Sequence, residues 1–234
     1  MGRFKSLGGD ESGITVVNPR KRGTRWLLWG GLFLTLAAIL LALLLAQLKL
    51  RMAVGKPLPV IGPVADFTLT NQNGRVFSLA DLRGRVWVAD IIFTRCPGPC
   101  LKMTRQMKEL QEALPAANPA KLVTLTTDPA YDSPAVLKTY AGRFDADSNR
   151  WMFLTGPRSE IAKLASESLK LAALENPPDK RDSPQDLFTH TTIFVIVDKR
   201  AQLRGVFETT GEGIDPVQVK SQILAAIRRL EREP

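Results

Sequence analysis

The sequence is poor in the residues from which disulfide frameworks and metal sites are usually built. Its 234 residues include two cysteines and one histidine. Two cysteines exclude a scaffold held by several disulfides and a four-cysteine zinc site. One histidine excludes every metal site that needs two imidazoles. Glycine (17 residues) and proline (16 residues) are too few for a collagen-like or low-complexity chain. The composition therefore predicts one globular domain with an additional segment attached to it.

The net charge is +9, but most of the chain lacks an excess of positive charge. Residues 1–56 carry nine basic and two acidic side chains, whereas residues 57–234 carry 23 basic and 21 acidic ones. A protein that binds DNA or RNA concentrates positive charge on its folded part, where that charge neutralises phosphates. The charge distribution therefore excludes nucleic acid as the expected partner.

The basic residues of the N-terminal part flank a long apolar segment, Trp26–Leu48, which has no ionisable side chain. A helix of this length rises about 34 Å, enough to cross a hydrocarbon core of roughly 30 Å. The apolar core of a cleaved signal peptide is shorter, about 7–15 residues, so the segment is interpreted as an uncleaved signal anchor. Six basic residues precede it and three follow closely. This excess predicts a single-pass protein of the inner or plasma membrane, with a cytoplasmic N-terminus and a periplasmic or otherwise extracytoplasmic C-terminal domain.

The pattern along the chain predicts four segments. They are a cytoplasmic tail (1–25), a transmembrane anchor (26–48), a Pro/Gly-rich linker without periodicity (49–63) and a folded domain (64–234). Within the domain, Asn-Gly at 73–74 predicts a hairpin, and an apolar run at 86–93 predicts a strand covered on both faces. The order of hairpin, βαβαβα, second hairpin and last helix predicts an α/β domain with a mostly parallel central sheet. The closing hairpin and helix favour a thioredoxin-like arrangement.

Two cysteines, Cys96 and Cys100, stand at the turn from the buried strand to the next helix. Ligands of α/β folds bind at this end of parallel strands, and a helix N-terminus stabilises a thiolate. Sulfur donors this close together can chelate a thiophilic ion, above all Cu(I). A redox couple and a structural disulfide are the alternatives, although a disulfide closing so short a loop adds little stability.

The single histidine, His190, directly precedes an apolar run predicted as a strand at 191–197. A lone histidine is more often a surface or core residue than a ligand. In a thioredoxin-like fold, however, the start of this strand lies near the cysteine turn. We therefore treat His190 as a candidate third ligand.

Three further residues have less specific expectations. Two carboxylates between the cysteines and the histidine in sequence, Asp128 and Asp132, are expected either to act near the cysteine site or to form a turn and a helix cap. Met103 is expected to pack in the core.

Several segments together resemble the Sco/SenC family. They are 66–70, the 73–74 turn, 78–86, Phe93-Thr94-Arg95-Cys96-Pro97-x-x-Cys100, 127–134 with Asp128-Pro129 and Asp132-Ser133-Pro134, 154–156, and the histidine before a strand that ends at Asp198. The resemblance covers residues 64–232 and the preceding anchor. It implies a thioredoxin-fold copper protein tethered at the outer face of a respiratory membrane. The copper ligands implied for this chain are Cys96, Cys100 and His190.

The same resemblance implies a role in assembly rather than catalysis in the strict sense. Such a metallochaperone delivers copper to, or reduces the cysteines of, the binuclear copper site of cytochrome c oxidase subunit II, and other copper chaperones or thiol reductants are further partners. The alternative is a membrane-anchored thiol–disulfide oxidoreductase, in which Cys96 and Cys100 form the redox pair without a required metal. Two positions depart from the family pattern, because Gly98 and Thr189 replace the usual aspartates.

Overall fold

The computed structural model describes residues 21–53, 57–96, 98–171, 173–175, 177, 179 and 188–234, without the side chains of 21–27, 48–53, 173–175 and 188–190. The chain divides into two compact units, Met1–Lys56 and Pro57–Pro234. Residues 1–20 of the predicted tail and 54–56 of the predicted linker lie outside the described residues.

The described part of the first unit is a long helix, α1 (Lys21–Ala53). Its segment Leu28–Gln47 is long and apolar enough to cross a membrane, and none of it is buried in the protein. A stretch of about 20 apolar residues whose side chains meet no protein core is typical of a helix that contacts lipid. The apolar segment of α1 meets this description, and it lies within the predicted anchor at 26–48.

The second unit is built around one large mixed sheet. Its eight strands are β1 (Gly62–Pro63), β2 (Thr68–Asn71), β3 (Val76–Ser78), β4 (Trp87–Ile92), β5 (Lys121–Thr126), β6 (Trp151–Thr155), β9 (Ile193–Val197) and β10 (Gln202–Glu208). A separate two-stranded sheet is formed by β7 (Ala173–Glu175) and β8 (Phe188–His190). The helices are α2 (Pro99–Ala113), α3 (Pro134–Gly142), α4 (Arg158–Lys163) and α5 (Pro216–Arg232), with a 3-10 turn at Leu79–Asp81 and a π-helical turn at Leu164–Ser168.

The strand order in the large sheet is β1-β10-β9-β4-β5-β6-β2-β3. The three central strands β4, β5 and β6 are parallel to one another. Strand β9 pairs with β4 in the antiparallel direction, and the β2–β3 hairpin joins β6 in the same way. The prediction of an α/β domain with a thioredoxin-like central sheet and an N-terminal hairpin is confirmed. The expectation of a mostly parallel sheet is wrong, because only the β4–β5 and β5–β6 pairings are parallel and hairpins extend both sides of the sheet in the antiparallel direction.

Apolar side chains alternate along β4 and fill two cores, one on each face of the sheet. Val88 and Ile92 face the core that contains both cysteines and helices α2 and α5, whereas Trp87 and Ile91 face the opposite one. Four buried residues follow the spacing of one helix face along α2 and its C-terminal end: Met103, Met107, Leu110 and Leu114. Met103 therefore packs in the core, as expected.

The end of the segment predicted as a linker is structured. Strand β1 pairs with β10, and the buried guanidinium of Arg204 donates hydrogen bonds to the carbonyls of Leu58 (2.7 Å) and Pro59 (3.1 Å). The same guanidinium forms ion pairs of 2.7 Å with Asp198 and with Glu233. A segment without periodicity thus folds onto the domain because a buried cation from a distant strand fixes its carbonyl groups.

One other element differs from the sequence-based expectation, because the strand predicted at 191–197 begins only at Ile193. Helix α4 continues directly into the π-helical turn. His190 ends the short strand β8, which pairs with β7 with His190 opposite Ala173. The β7–β8 pairing was not predicted, because three-residue strands carry too little periodicity to be recognised.

Candidate metal and redox centre

The two cysteines lie where the chain leaves the central strand β4 and enters α2. The amide of Cys96 donates a hydrogen bond to the carbonyl of Phe93 (3.2 Å), which closes a tight turn just beyond the strand. Pro99 is the first residue of α2, where its missing N–H group costs nothing, and Cys100 follows it. Pro97 lies outside the described residues. The local sequence therefore places one thiol before the helix and the other in its first turn.

Both cysteines are reduced and buried, Cys96 with 7% and Cys100 with 0% of its surface exposed. The two thiols are hydrogen-bonded to each other. Burial raises the pKa of the Cys100 thiol far above its ordinary value, and the hydrogen bond and charge of Cys96 raise it further. The expected thiolate stabilisation by the helix N-terminus is therefore outweighed at Cys100, since desolvation favours the neutral thiol.

A buried carboxyl group, Asp90, lies on the same face of β4 as Val88 and Ile92 and is fully buried. Its charge adds to the rise in the pKa values of Cys100 and Tyr140. The sequence carries a signal for this residue, because an acidic side chain interrupts an otherwise apolar strand, but Asp90 was not predicted as a site residue. Such a group is typical of functional sites, where burial and charge are combined.

A second carboxylate, that of Asp132, fixes the residue that leads into the cysteine turn. It accepts hydrogen bonds from the Thr94 amide (3.1 Å), from the Thr94 hydroxyl and from the Thr126 hydroxyl (2.5 Å). Burial raises its pKa, although these hydrogen bonds act in the opposite direction. Asp132 therefore joins the ends of β4 and β5. Its neighbour Ser133, rather than Asp132 itself, caps α3.

Next to the turn, Arg95 connects Asp128 with an aromatic ring. One guanidinium nitrogen of Arg95 lies 2.5 Å from Asp128 Oδ2, and the guanidinium carbon lies 4.1 Å from the Tyr131 ring centroid. This geometry combines a charge-assisted hydrogen bond with a cation–π contact. Sequence reasoning missed Arg95 and Tyr131, since neither residue belongs to a recognisable ligand pattern.

The chain that follows His190 enters β9 at the edge of the sheet where β4 leads into the cysteine turn. Strands β4 and β9 are antiparallel, so the end of β4 and the beginning of β9 share one edge. Cys96 follows Ile92, the last residue of β4, by four positions, and His190 precedes Ile193, the first residue of β9, by three. The His190 side chain lies outside the described part of the structure. Among the described residues, no group of three or more His, Cys, Asp or Glu side chains could hold a metal ion.

A thioredoxin-like domain with paired thiols at its central strand-to-helix turn defines a class of metal-binding and redox proteins. The model of the SCO1/SenC family matches residues 62–227, and the chain therefore belongs to this family. This membership confirms the resemblance inferred from the motifs.

Individual relatives agree with the family model. The "SCO1 protein homolog" of Bacillus subtilis is 36% identical over 141 residues, which cover 59% of this chain and 70% of the relative. The "Putative copper-binding protein" of Stutzerimonas stutzeri is 30% identical over 150 residues, covering 63% of this chain and 70% of the relative.

Among solved structures, BsSco has a TM-score of 0.62 and 27% sequence identity, covering 76% of this chain and all of that chain. BsSco is described as a Sco protein of cytochrome c oxidase assembly with a disulfide switch.

Proposed function

We propose that this protein binds copper through Cys96, Cys100 and His190 and takes part in assembling the binuclear copper site of cytochrome c oxidase. The observation that carries the proposal is the pair of reduced, hydrogen-bonded thiols at the strand-to-helix turn. Membership of the SCO1/SenC family and the relative named as copper-binding support it.

The donor set fits a soft metal ion. Thiolates select Cu(I), and a nitrogen donor suits copper in both oxidation states. The raised pKa of Cys100 means that this thiol is protonated before copper arrives, so binding must release a proton. In this function copper is the cargo of the protein. Two sulfur donors on a short loop at the edge of the sheet hold the ion and can transfer it to a partner. The proposed partner is subunit II of the oxidase.

A second candidate function is thiol–disulfide exchange, in which Cys96 and Cys100 cycle between dithiol and disulfide. The contact between the two thiols favours it, since a disulfide needs sulfur atoms on neighbouring and suitably directed side chains. The disulfide switch described for BsSco is consistent with this chemistry. In this function the partner's copper-site cysteines would be reduced, and other copper chaperones or thiol reductants would restore the dithiol.

The two functions are separated by a copper titration of the full chain in a non-ionic detergent. The reduced protein is expected to bind one copper ion per chain, and its Cu(II) form should show an intense thiolate-to-copper charge-transfer band. His190→Ala keeps both thiolates, so it should retain Cu(I) while losing or destabilising Cu(II). An absence of tight copper binding, together with normal disulfide reduction by the His190→Ala protein, would instead establish the oxidoreductase.

We further propose that α1 anchors the protein in the membrane with its N-terminus inside. The basic residues at 20–25 are expected to stay in the cytoplasm, as the positive-inside rule requires. Protease added to the outer face of spheroplasts should therefore degrade the domain and spare the N-terminal tail. Recovery of a soluble domain that begins after about residue 48 would show that the segment is a cleaved signal.

A further inference from the structure

A polar cleft of about 420 Å³ lies between the cysteine turn and helix α3. Its walls include two arginines and four hydroxyl-bearing side chains: Thr94, Arg95, Tyr131, Thr139, Tyr140 and Arg143. This volume falls within the roughly 300–1,000 Å³ that is usual for small-molecule sites.

The cleft adjoins the thiol site through Arg95 and Tyr140, two residues of its lining. Arg95 is the residue directly before Cys96. On the other side, the hydroxyl of Tyr140 lies 2.9 Å from that of Thr104, which donates a hydrogen bond to the Cys100 carbonyl (2.8 Å). A molecule seated in the cleft would therefore contact the residues that hold both cysteines.

The charge of the cleft is positive. Among the residues that the structure describes, neither Asp nor Glu lines the cleft. Arg143 is exposed, and within the part of the chain that the structure describes, its guanidinium forms no ion pair with a carboxylate. Arg95 pairs with Asp128 through one guanidinium nitrogen, and its side chain is 42% exposed. Since a guanidinium has five N–H donors in a planar fork, Arg95 retains donors for a second carboxylate.

We propose that this cleft binds the carboxylate groups of a low-molecular-mass thiol or disulfide compound and holds its sulfur beside Cys96. The cleft is large enough for a small molecule, and its two arginines complement carboxylates. The proposal rests on the part of the proposed function in which Cys96 and Cys100 react as thiols. The proposal adds a substrate class, because the two arginines of the cleft select an anionic thiol or disulfide compound over a neutral one.

The exchange reaction balances without any further reagent. The Cys96 thiolate attacks one sulfur of the bound disulfide compound, whose S–S bond breaks, and the first thiolate leaves. The Cys100 sulfur then attacks Cys96 in the resulting mixed disulfide and releases the second thiolate. Both protein thiols lose their protons to solvent and are oxidised together to a disulfide, while the compound is reduced to two thiolates. The reverse sequence reduces the protein with two equivalents of the anionic thiol.

The test compares two disulfide reagents on the reduced full chain in a non-ionic detergent. One reagent is the dianionic 5,5′-dithiobis(2-nitrobenzoate), and the other is the neutral 4,4′-dithiodipyridine. Arg143→Gln is expected to slow the reaction with the dianion about threefold to tenfold, the effect of one charge-assisted hydrogen bond at a partly exposed position. The rate with the neutral reagent should be unchanged. Arg143→Lys should restore part of the rate, and 1 M salt should reduce the difference between the two reagents.

The control variant is Arg228→Gln, which removes an equal charge from an exposed position on α5. It should alter neither rate. Equal slowing of both reagents by Arg143→Gln would show a general loss of thiol reactivity and would overturn the proposal, as would unchanged rates with both. Copper binding of the Arg143→Gln protein is measured separately, so a failure of the carboxylate site is distinguished from a failure of the copper site.

Discussion

Replacement of Cys100 by serine is expected to weaken Cu(I) binding by at least about a hundredfold. Loss of a residue that merely orients a metal ligand already costs about 10–100-fold in affinity, and this substitution removes one of two sulfur ligands. The remaining hydroxyl is a hard donor that Cu(I) does not favour. The affinity is measured by competition with a chromogenic Cu(I) chelator, using the reduced full chain in detergent. Cys96→Ser should have an effect of the same order.

The matched control is Met103→Leu, which removes a sulfur atom from the same helix. Met103 is completely buried in the core, and exchange of methionine for leucine nearly conserves volume. Its copper affinity should therefore equal that of the unmodified protein. A Cys100→Ser protein that binds Cu(I) with unchanged affinity would contradict the proposed ligand set, and a large loss in Met103→Leu would add a thioether ligand to it.

Substitution of Asp132 by alanine is expected to lower the free energy of unfolding of the domain by about 3 kcal/mol. It removes the acceptor of three hydrogen bonds, from the Thr94 amide and from the hydroxyls of Thr94 and Thr126. A buried polar group left without its partner costs about 1–3 kcal/mol, and the two hydroxyls can recover part of this by rotating. Urea unfolding followed by tryptophan fluorescence measures the change, since Trp87 and Trp151 are buried in the domain. A change in the free energy of unfolding below about 0.5 kcal/mol is typical of an ordinary surface position, and it would show that Asp132 does not stabilise the cysteine turn.

The pH dependence of stability gives an independent check on Asp132. Its pKa is higher in the folded protein than in the unfolded chain, so the folded state favours the protonated form. This contribution to stability is complete below the ordinary carboxyl pKa and is lost as the pH rises through the raised value. Asp132→Asn removes the titration. The stability of the unmodified protein should therefore fall relative to that of Asp132→Asn as the pH rises from about 4.

Much of the fold could be predicted because its elements carry strong periodic signals. Strand β4 is an apolar run covered on both faces, and α2 presents a regular stripe that includes Met107 and Leu110. The Asn-Gly turn specifies the β2–β3 hairpin. These signals are local, so a single sequence reveals them.

The features that could not be predicted depend on residues far apart in the sequence. The contact of Arg95 with Asp128 spans 33 positions, and that of Arg204 with Pro59 spans 145. Neither pair has a characteristic spacing. The two cysteines were identifiable because they are close in sequence at a strand-to-helix turn, whereas Asp90 was overlooked within an apolar strand. The raised pKa of Cys100 was likewise beyond sequence reasoning, because burial depends on how the helix packs.

The pairing of β1 with β10 also has a consequence for how the domain is made. Gly62 lies opposite Leu203, so the first strand of the sheet obtains its partner only after some 140 further residues have been synthesised. Contacts between such distant positions require closure of a long loop, which slows folding. The edge of the sheet beside β10 is therefore completed late, and a nascent chain that has not yet reached β10 exposes the backbone groups of β9 that β10 later pairs. During synthesis, this side of the sheet stays open to pairing with other chains until β10 has been made.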